Sequence, residues 1–319
     1  MRTLPLGATD IEISAVIMGT WQTGKAMWSD IDDQESLRAI RAAFDAGITT
    51  FDSAEAYGNG HSERILGQAL ADVRDKVVIA TKVFSNHLAK NQLITACERS
   101  LRNLGTDYID LYQIHWPPGS FGAPAVPLEE PLEALVELKE QGKIRAIGVS
   151  NFDRGLMEAA RAHAPIESLQ PPYSLFWRSL EKETLSWCRE AQITTLAYSP
   201  MAQGILTGKF GPDHKFAKKD HRKGNRLFQP NIYPKVQEAL TRLRPIAEAQ
   251  GVSMAQLALA WVIAQPNTCA IAGARSVEQA TNNAAAMEIT LSAGTLAQMD
   301  AIGRTVTDQL DENPVQWQW

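Results

Sequence analysis

The chain has 319 residues, 45% of them hydrophobic, and carries 31 Lys and Arg against 36 Asp and Glu for a formal net charge of −5. This apolar share can bury a large core, and the acidic balance provides no field to hold nucleic acid. The length exceeds a typical domain, but barrels of alternating strands and helices reach roughly 250 residues or more as one unit, so one domain over residues 1–319 is expected.

In chain order, TLPLGATDIEISA (3–15) reads as a hairpin plugging one end of the fold. Eight strand segments follow: ISAVIMGT (13–20), TTFDSA (49–54), VVIATKV (77–83), IDLYQIHW (109–116), IRAIGVSN (144–151), ESLQPPY (167–173), TTLAYSP (194–200) and TCAIAGA (268–274). Their nearly continuous apolar character implies burial on both faces. Amphipathic segments separate them. QESLRAIRAAFDAG (34–47) has apolar residues at helical spacing and stops on Gly47, with similar stops at Gly105, Gly142 and Gly251. Pro171 and Pro172 cannot donate ladder bonds and mark the end of the sixth strand. Strict alternation repeated eight times predicts an α/β fold, a single-domain (β/α)8 TIM barrel with an N-terminal hairpin. Only the connection after the seventh strand breaks the rhythm, running from Gly204 to Pro234, where barrel loops usually take about 2–6 residues.

Cys97, Cys188 and Cys269 lie far apart, with no C-x-x-C pair and no histidine cluster, so neither a disulfide framework nor a metal site is expected, and a reducing compartment fits. The N-terminus lacks the basic segment and apolar run of a signal peptide, and AQLALAWVIA (255–264) is too short to span a bilayer. A cytoplasmic protein with no membrane partner is expected.

The second, third and fourth strand segments end in chemistry. FDSAEAYG (51–58), ATK (80–82) and YQIHW (112–116) aim Asp52, Lys82 and His115 into the barrel mouth, with Tyr57 on the adjoining loop. A tyrosine with an ordinary pKa of ~10 acts as an acid near neutrality if a cation lowers it. Lys82 is the candidate cation, and Asp52 would keep it charged. The set suits a reaction in which negative charge grows on a carbonyl oxygen while a nucleophile reaches the carbon, Tyr57 giving the proton and His115 stabilising the oxyanion. No side chain is a hydride source, so a cofactor must supply one. Between Lys209 and Arg226 seven cations (Lys209, Lys215, Lys218, Lys219, Arg222, Lys223, Arg226) face only Asp213 and Asp220, which suits a phosphate-bearing ligand. Trp21, Trp28, Trp116, Phe176 and Trp177 are candidate walls of a substrate pocket, and Trp317 and Trp319 in the tail would fold over the pocket or dock on the outside of the barrel.

These residues resemble the aldo-keto reductase superfamily. The pattern D-x-A-x-x-Y-G is met by Asp52, Ala54, Tyr57 and Gly58, followed by Ser62 and Glu63; ATK ending at Lys82, YIDLYQIHWP (108–117), GKIRAIGVSNF (142–152) and QPPYSLF (170–176) match in order. Within it the chain is similar to the bacterial branch of general stress protein 69 and the inositol-operon reductase, through the GTW motif Gly19, Thr20, Trp21 and the loop SPMAQGILTGK (199–209). The resemblance implies an NADPH-dependent, cytoplasmic oxidoreductase that reduces aldehyde or ketone carbonyls to alcohols, with Tyr57 as general acid, Lys82 and Asp52 tuning it and His115 positioning the substrate beside Trp21 and Trp116. It implies a nicotinamide stacked on Tyr198 and bonded by Ser150, Asn151 and Gln170, near Gly19, Thr20, Trp21 and Asp52. The pyrophosphate would be wrapped by Ser199, Pro200, Met201, Ala202, Gln203, Gly204 and Lys209, with Arg222 alongside. Gly273 stands where many members carry a lysine for the adenosine 2′-phosphate, and Gln279 where they carry an arginine. Arg275, after Gly273 and Ala274, can supply that contact instead, with Gln279 and Asn283 nearer the adenine, so NADP(H) is favoured and NAD(H) stays open. Two other readings use the same residues: a Schiff-base aldolase on Lys82, and a redox-sensing module resembling potassium-channel β subunits.

Overall fold

The computed structural model describes residues 1–25, 28, 31–216 and 220–310. Lys218, Lys219 and the tail tryptophans Trp317 and Trp319 lie outside the described residues. Two short antiparallel strands, β1 (Thr3–Pro5) and β2 (Glu12–Ser14), form the N-terminal hairpin. Eight parallel strands then close a barrel: β3 (Val16–Gly19), β4 (Thr50–Asp52), β5 (Val78–Val83), β6 (Ile109–Ile114), β7 (Ile144–Ser150), β8 (Ser168–Gln170), β9 (Thr194–Tyr198) and β10 (Thr268–Gly273), the last pairing with β3.

The helices α1 (Asp33–Asp45), α2 (His61–Leu70), α3 (Lys90–Leu104), α4 (Glu129–Glu140), α5 (Arg154–Arg161) and α6 (Thr184–Glu190) each follow one strand, in order from β3 to β8. Two helices, α7 (Tyr233–Gln250) and α8 (Met254–Ile263), follow β9; α9 (Val277–Ala285) follows β10, and α10 (Ala293–Thr307) packs beside α7. The stretch around AQLALAWVIA is apolar all round because α8 is buried all round, from Leu257 to Ile263. Among the described residues no single helix is long and apolar enough to cross a membrane.

The first predicted strand, 13–20, divides at Ser14. Its side chain accepts from the Thr50 amide at 3.2 Å and donates to the Val16 carbonyl at 2.7 Å, so side-chain bonds end the hairpin before the barrel ladder begins. Leu6, Ile11 and Ile13 from the hairpin pack inside the barrel against Ile17, Ala80, Leu111, Ala146, Leu196, Cys269 and Ile271. Each of these three burials contributes about 1.5–3 kcal/mol. The hairpin therefore seals the end at which the strands begin and leaves the other end open.

Candidate active site

Side chains two residues apart on a strand share a face, and in this barrel the inner face turns polar within one such step. Ala80 gives way to Lys82 and Leu111 to Gln113, which stand side by side in register. Lys82 is fully buried; its Nζ donates to Asp52 Oδ1 at 2.6 Å, to the Ser53 carbonyl at 2.7 Å and to the Tyr57 hydroxyl at 3.4 Å. The second Asp52 oxygen accepts from the side-chain amides of Gln170 at 2.9 Å and Gln113 at 3.4 Å. A buried ion pair is tolerable only when its remaining bonding positions are filled, and here they are.

Tyr57 is held by a backbone crossing. A Cβ on Gly24 would lie 2.6 Å from the Tyr57 carbonyl carbon, and one on Gly58, at φ +63°, would lie 2.2 Å from the Gly24 oxygen. Only glycine at both places lets the loop after β3 pass this close. Burial pushes the Tyr57 phenol up, and the charge of Lys82 pulls it down by less than burial raises it. The net direction is upward, opposite to the lowering expected from a cation alone, because the same barrel wall that brings Lys82 near also removes water. Burial would depress the Lys82 ammonium, but Asp52 and Tyr57 together more than offset this and hold it above its usual value.

His115 lies just past β6, its amide donating to the Val83 carbonyl at 2.9 Å. Its ring meets Tyr57 edge-on with centroids 5.7 Å apart. Burial, and then the Lys82 charge, hold its pKa well below 6.5, so the imidazole is neutral at pH 7. Beside it Phe84 is anchored through its amide, which donates at 2.8 Å to the buried carboxylate of Glu55; Arg99 and His87 also bind Glu55.

A cavity of about 830 Å³ runs from these groups across the open end of the barrel. Of the predicted cofactor residues, Gly19, Trp21, Asp52, Ser150, Asn151, Gln170, Tyr198, Ser199, Pro200, Met201, Gln203, Gly204, Lys209, Arg222, Gly273, Arg275, Gln279 and Asn283 line it. Thr20 does not; its hydroxyl donates to the Asp52 carbonyl at 3.0 Å, supporting β4 from behind. Ala202 is fully buried, and Ala274 faces a smaller adjoining cavity with Asp32, Glu35 and Ser276. Phe176 and Trp177 are core residues rather than pocket walls, 0% and 2% exposed, because the chain after Pro172 turns inward. Trp21, Trp28 and Trp116 do line the cavity.

One end of the cavity is cationic. Lys209, Arg222 and Arg275 line it, and the Arg275 and Arg222 guanidinium carbons lie 4.6 and 5.8 Å from the centroid of Trp28. Burial, then Arg222 and Arg275, push the Lys209 ammonium down. Arg222 is paired with Asp220, but this local excess of cations is a setting that an anionic ligand relieves. The other described cations of that loop, Lys215, Lys223 and Arg226, do not line it. Asn151, Ser199 and Gln203 hold left-handed φ of 61°, 54° and 56° on the same rim. Such strain costs on the order of 1–3 kcal/mol per residue and gathers where loops are shaped for a ligand. At Gly273 a Cβ would lie 2.2 Å from the Gln22 amide nitrogen, so Gln22 fills the space a side chain there would need.

Sequence reasoning missed Gln22, Gln113, Phe84 and Phe121. Gln113 had a signal, as a lone amide inside an apolar strand. Phe84 stands directly after the lysine strand. Phe121 lies between two glycines in a connection with no periodicity, and only the folded loop brings it to the mouth.

The profile of the Aldo/keto reductase family matches residues 15–304. The chain belongs to that family. It is 40% identical over 291 residues to the aldo-keto reductase YhdN of Bacillus subtilis, covering 88% of this chain and 86% of that protein. It is 35% identical over 316 residues to the NADH-specific methylglyoxal reductase of Escherichia coli, covering 92% and 95% of the two chains. The glycerol dehydrogenase AKR11B4 from Gluconobacter oxydans superposes with a TM-score of 0.89 at 35% identity over 97% of both chains. An aldo-keto reductase from Klebsiella pneumoniae in complex with NADPH gives 0.76 at 33% identity, over 100% of this chain and 99% of that one. Membership makes this aldo/keto reductase an NAD(P)H-dependent carbonyl oxidoreductase.

Proposed function

We propose that this aldo/keto reductase reduces aldehyde or ketone carbonyls to alcohols with NADPH, and that Tyr57 supplies the proton. The observation that carries the reading is the Tyr57 hydroxyl 3.4 Å from the Lys82 ammonium at the floor of the cavity. The bound nicotinamide would deliver hydride to the carbonyl carbon. Everything else falls to the chain. His115, neutral, donates a hydrogen bond from one ring nitrogen and orients the carbonyl oxygen. Tyr57 is protonated at neutral pH, as a phenol of ordinary pKa already is and as burial reinforces, and its proton passes to that oxygen as charge develops. Lys82 stabilises the phenolate left behind, and Asp52 keeps Lys82 charged.

The cofactor's phosphates fit Lys209, Arg222 and Arg275, with Arg275 offering a bidentate contact to the 2′-phosphate. Tyr198, Ser150, Asn151 and Gln170 line the same cavity, so Tyr198 would face the nicotinamide and the other three would bind its carboxamide. Gly273 in place of a lysine leaves NAD(H) usable, in keeping with the NADH-specific relative. A Schiff-base role for Lys82 requires a free amine, and its contacts hold it as an ammonium. Three free buried cysteines, two with thiols pushed up to about 12, suit a reducing cytoplasm.

The test follows NADPH absorbance with acetaldehyde and methylglyoxal. Tyr57→Phe is expected to lower turnover by roughly 10²- to 10⁴-fold. Equal rates in the two proteins reject Tyr57 as the acid.

A further inference from the structure

The ladder between β4 and β5 outlasts the strand that carries it. β4 stops at Asp52, yet the Ser53 amide donates to the Ala80 carbonyl at 2.9 Å and the Glu55 amide to the Lys82 carbonyl at 3.2 Å. The next rung changes chemistry. In a regular parallel ladder the Glu55 carbonyl would take the Phe84 amide. Here that carbonyl accepts instead from the Gly60 amide at 2.8 Å, closing the turn that holds Tyr57, and the Phe84 amide donates at 2.8 Å to the Glu55 side chain, at Oε1. One residue therefore grips the chain on both sides of Lys82 and shuts the turn around Tyr57.

Glu55 is buried and does not line the cavity, so whatever it does for the reaction it does through its neighbours. Its carboxylate also binds Arg99 of α3 at Oε2 and His87 Nδ1 at 2.9 Å. The Arg99 and His87 side chains are 42% and 33% exposed, and contacts with partners so open to water contribute little to stability. The acceptor for Phe84 has a different weight, because its position fixes where β5 ends. That end also carries the Val83 carbonyl, which accepts from the His115 amide at 2.9 Å. Two residues before Phe84, the Lys82 ammonium meets the Tyr57 hydroxyl at 3.4 Å, a contact already at the long end of hydrogen-bond range.

We propose, resting on the reading of Tyr57 as the proton donor, that Glu55 is a positioning residue for the proton transfer: its side-chain oxygen, standing in for a backbone carbonyl at the end of β5, sets the Lys82 ammonium against the Tyr57 hydroxyl. The oxygen is what matters for this role, and the charge is not. A contact that long has no room to lengthen, and small displacements of reacting groups cost large factors in rate.

The experiment measures kcat and KM for methylglyoxal at saturating NADPH with wild type, Glu55→Gln, Glu55→Met and Glu55→Asp. The first variant keeps the acceptor without the charge, the second keeps only the bulk, and the third keeps the charge one methylene short of the Phe84 amide. Glu55→Gln is expected to hold kcat within about threefold, whereas Glu55→Met and Glu55→Asp lower it by roughly ten- to a hundredfold with KM nearly unchanged. A merely structural ion pair with Arg99 predicts the opposite order, with Glu55→Asp nearest wild type in both kcat and melting temperature. That order, a Glu55→Gln as slow as Glu55→Met, equal kcat in all four proteins, or a loss carried by KM overturns the proposal. If Glu55→Met does not fold, Glu55→Asp carries the comparison with Glu55→Gln by itself. The Lys82 ammonium reports without turnover: its ¹⁵N resonance, identified by its absence in Lys82→Met, is expected to hold its wild-type position in Glu55→Gln and to move in Glu55→Asp. If wild type reduces no aldehyde, the catalytic reading fails. The placement of Lys82 by Glu55 then stands if the resonance behaves in this way, and falls if it is the same in every variant or moves in Glu55→Gln.

Discussion

The two ends of the barrel are built from the same strands and obey opposite rules. At the closed end Leu6, Ile11 and Ile13 meet Ile17, Leu111, Ala146 and Leu196 in an apolar plug. At the open end, one inward-facing step along the same strands, Lys82, Gln113 and Gln170 converge on Asp52. Burial stabilises the first group outright. The second is tolerated only because its charges and amides are paired, and any unpaired member is costly. The apolar plug stands at one end and the paired polar groups at the other, where the loops carry left-handed backbone at Asn151, Ser199 and Gln203.

Breaking the ion pair tests this division most severely. Lys82→Met is expected to lower carbonyl turnover by roughly 10²-fold or more and to cost about 3–5 kcal/mol in urea unfolding, because Asp52 is left buried without its cation. A variant as stable as wild type would mean the two ends do not follow different rules. At the plug, Leu6→Ala is expected to cost about 2–5 kcal/mol while kcat/KM of the folded enzyme stays within about twofold. Loss of activity with unchanged stability would show that the ends are coupled.

Arg275→Ala sharpens the picture of the open end. NADPH affinity, followed by fluorescence titration, is expected to weaken about tenfold and NADH affinity by less. Equal losses would place the 2′-phosphate elsewhere. The smallest effect is in pH. His115 has its folded pKa depressed below 6.5, so on acidification through 6.5 the unfolded chain takes up a proton that the native protein refuses. Stability therefore falls with falling pH, by up to about 1.4 kcal/mol per pH unit, until the folded pKa is reached. Unfolding of His115→Gln between pH 6 and pH 5 should lack this component; identical pH dependence would mean the native imidazole protonates as freely as the unfolded one.

Much of the architecture was legible because parallel barrel strands are apolar on both faces and stand out between amphipathic helices. All eight were found within a few residues; the two largest boundary differences, three residues each, fell at Ser14, where side-chain bonds that no periodicity reveals divide the strand, and at the end of the sixth strand, which stops at Gln170 before Pro171 and Pro172. Asp52, Tyr57, Lys82 and His115 were legible as polar residues ending such strands. Phe176 and Trp177 read as pocket walls because composition does not show which way the chain turns after Pro172. The direction of the Tyr57 shift was missed for a related reason: the charge of Lys82 can be counted in a sequence, but the loss of water around both groups cannot.

By itself the sequence determined the barrel and the identity of the four groups at its mouth, since strand periodicity and residue type are local properties. Tertiary structure alone decided what those groups experience. The pairing of Gln113 and Gln170 on Asp52, the dry surroundings that raise Tyr57, and the placement of Phe121 at the mouth all join residues far apart in the chain. Burial and electrostatics depend on those distances, and distances exist only once the chain has folded.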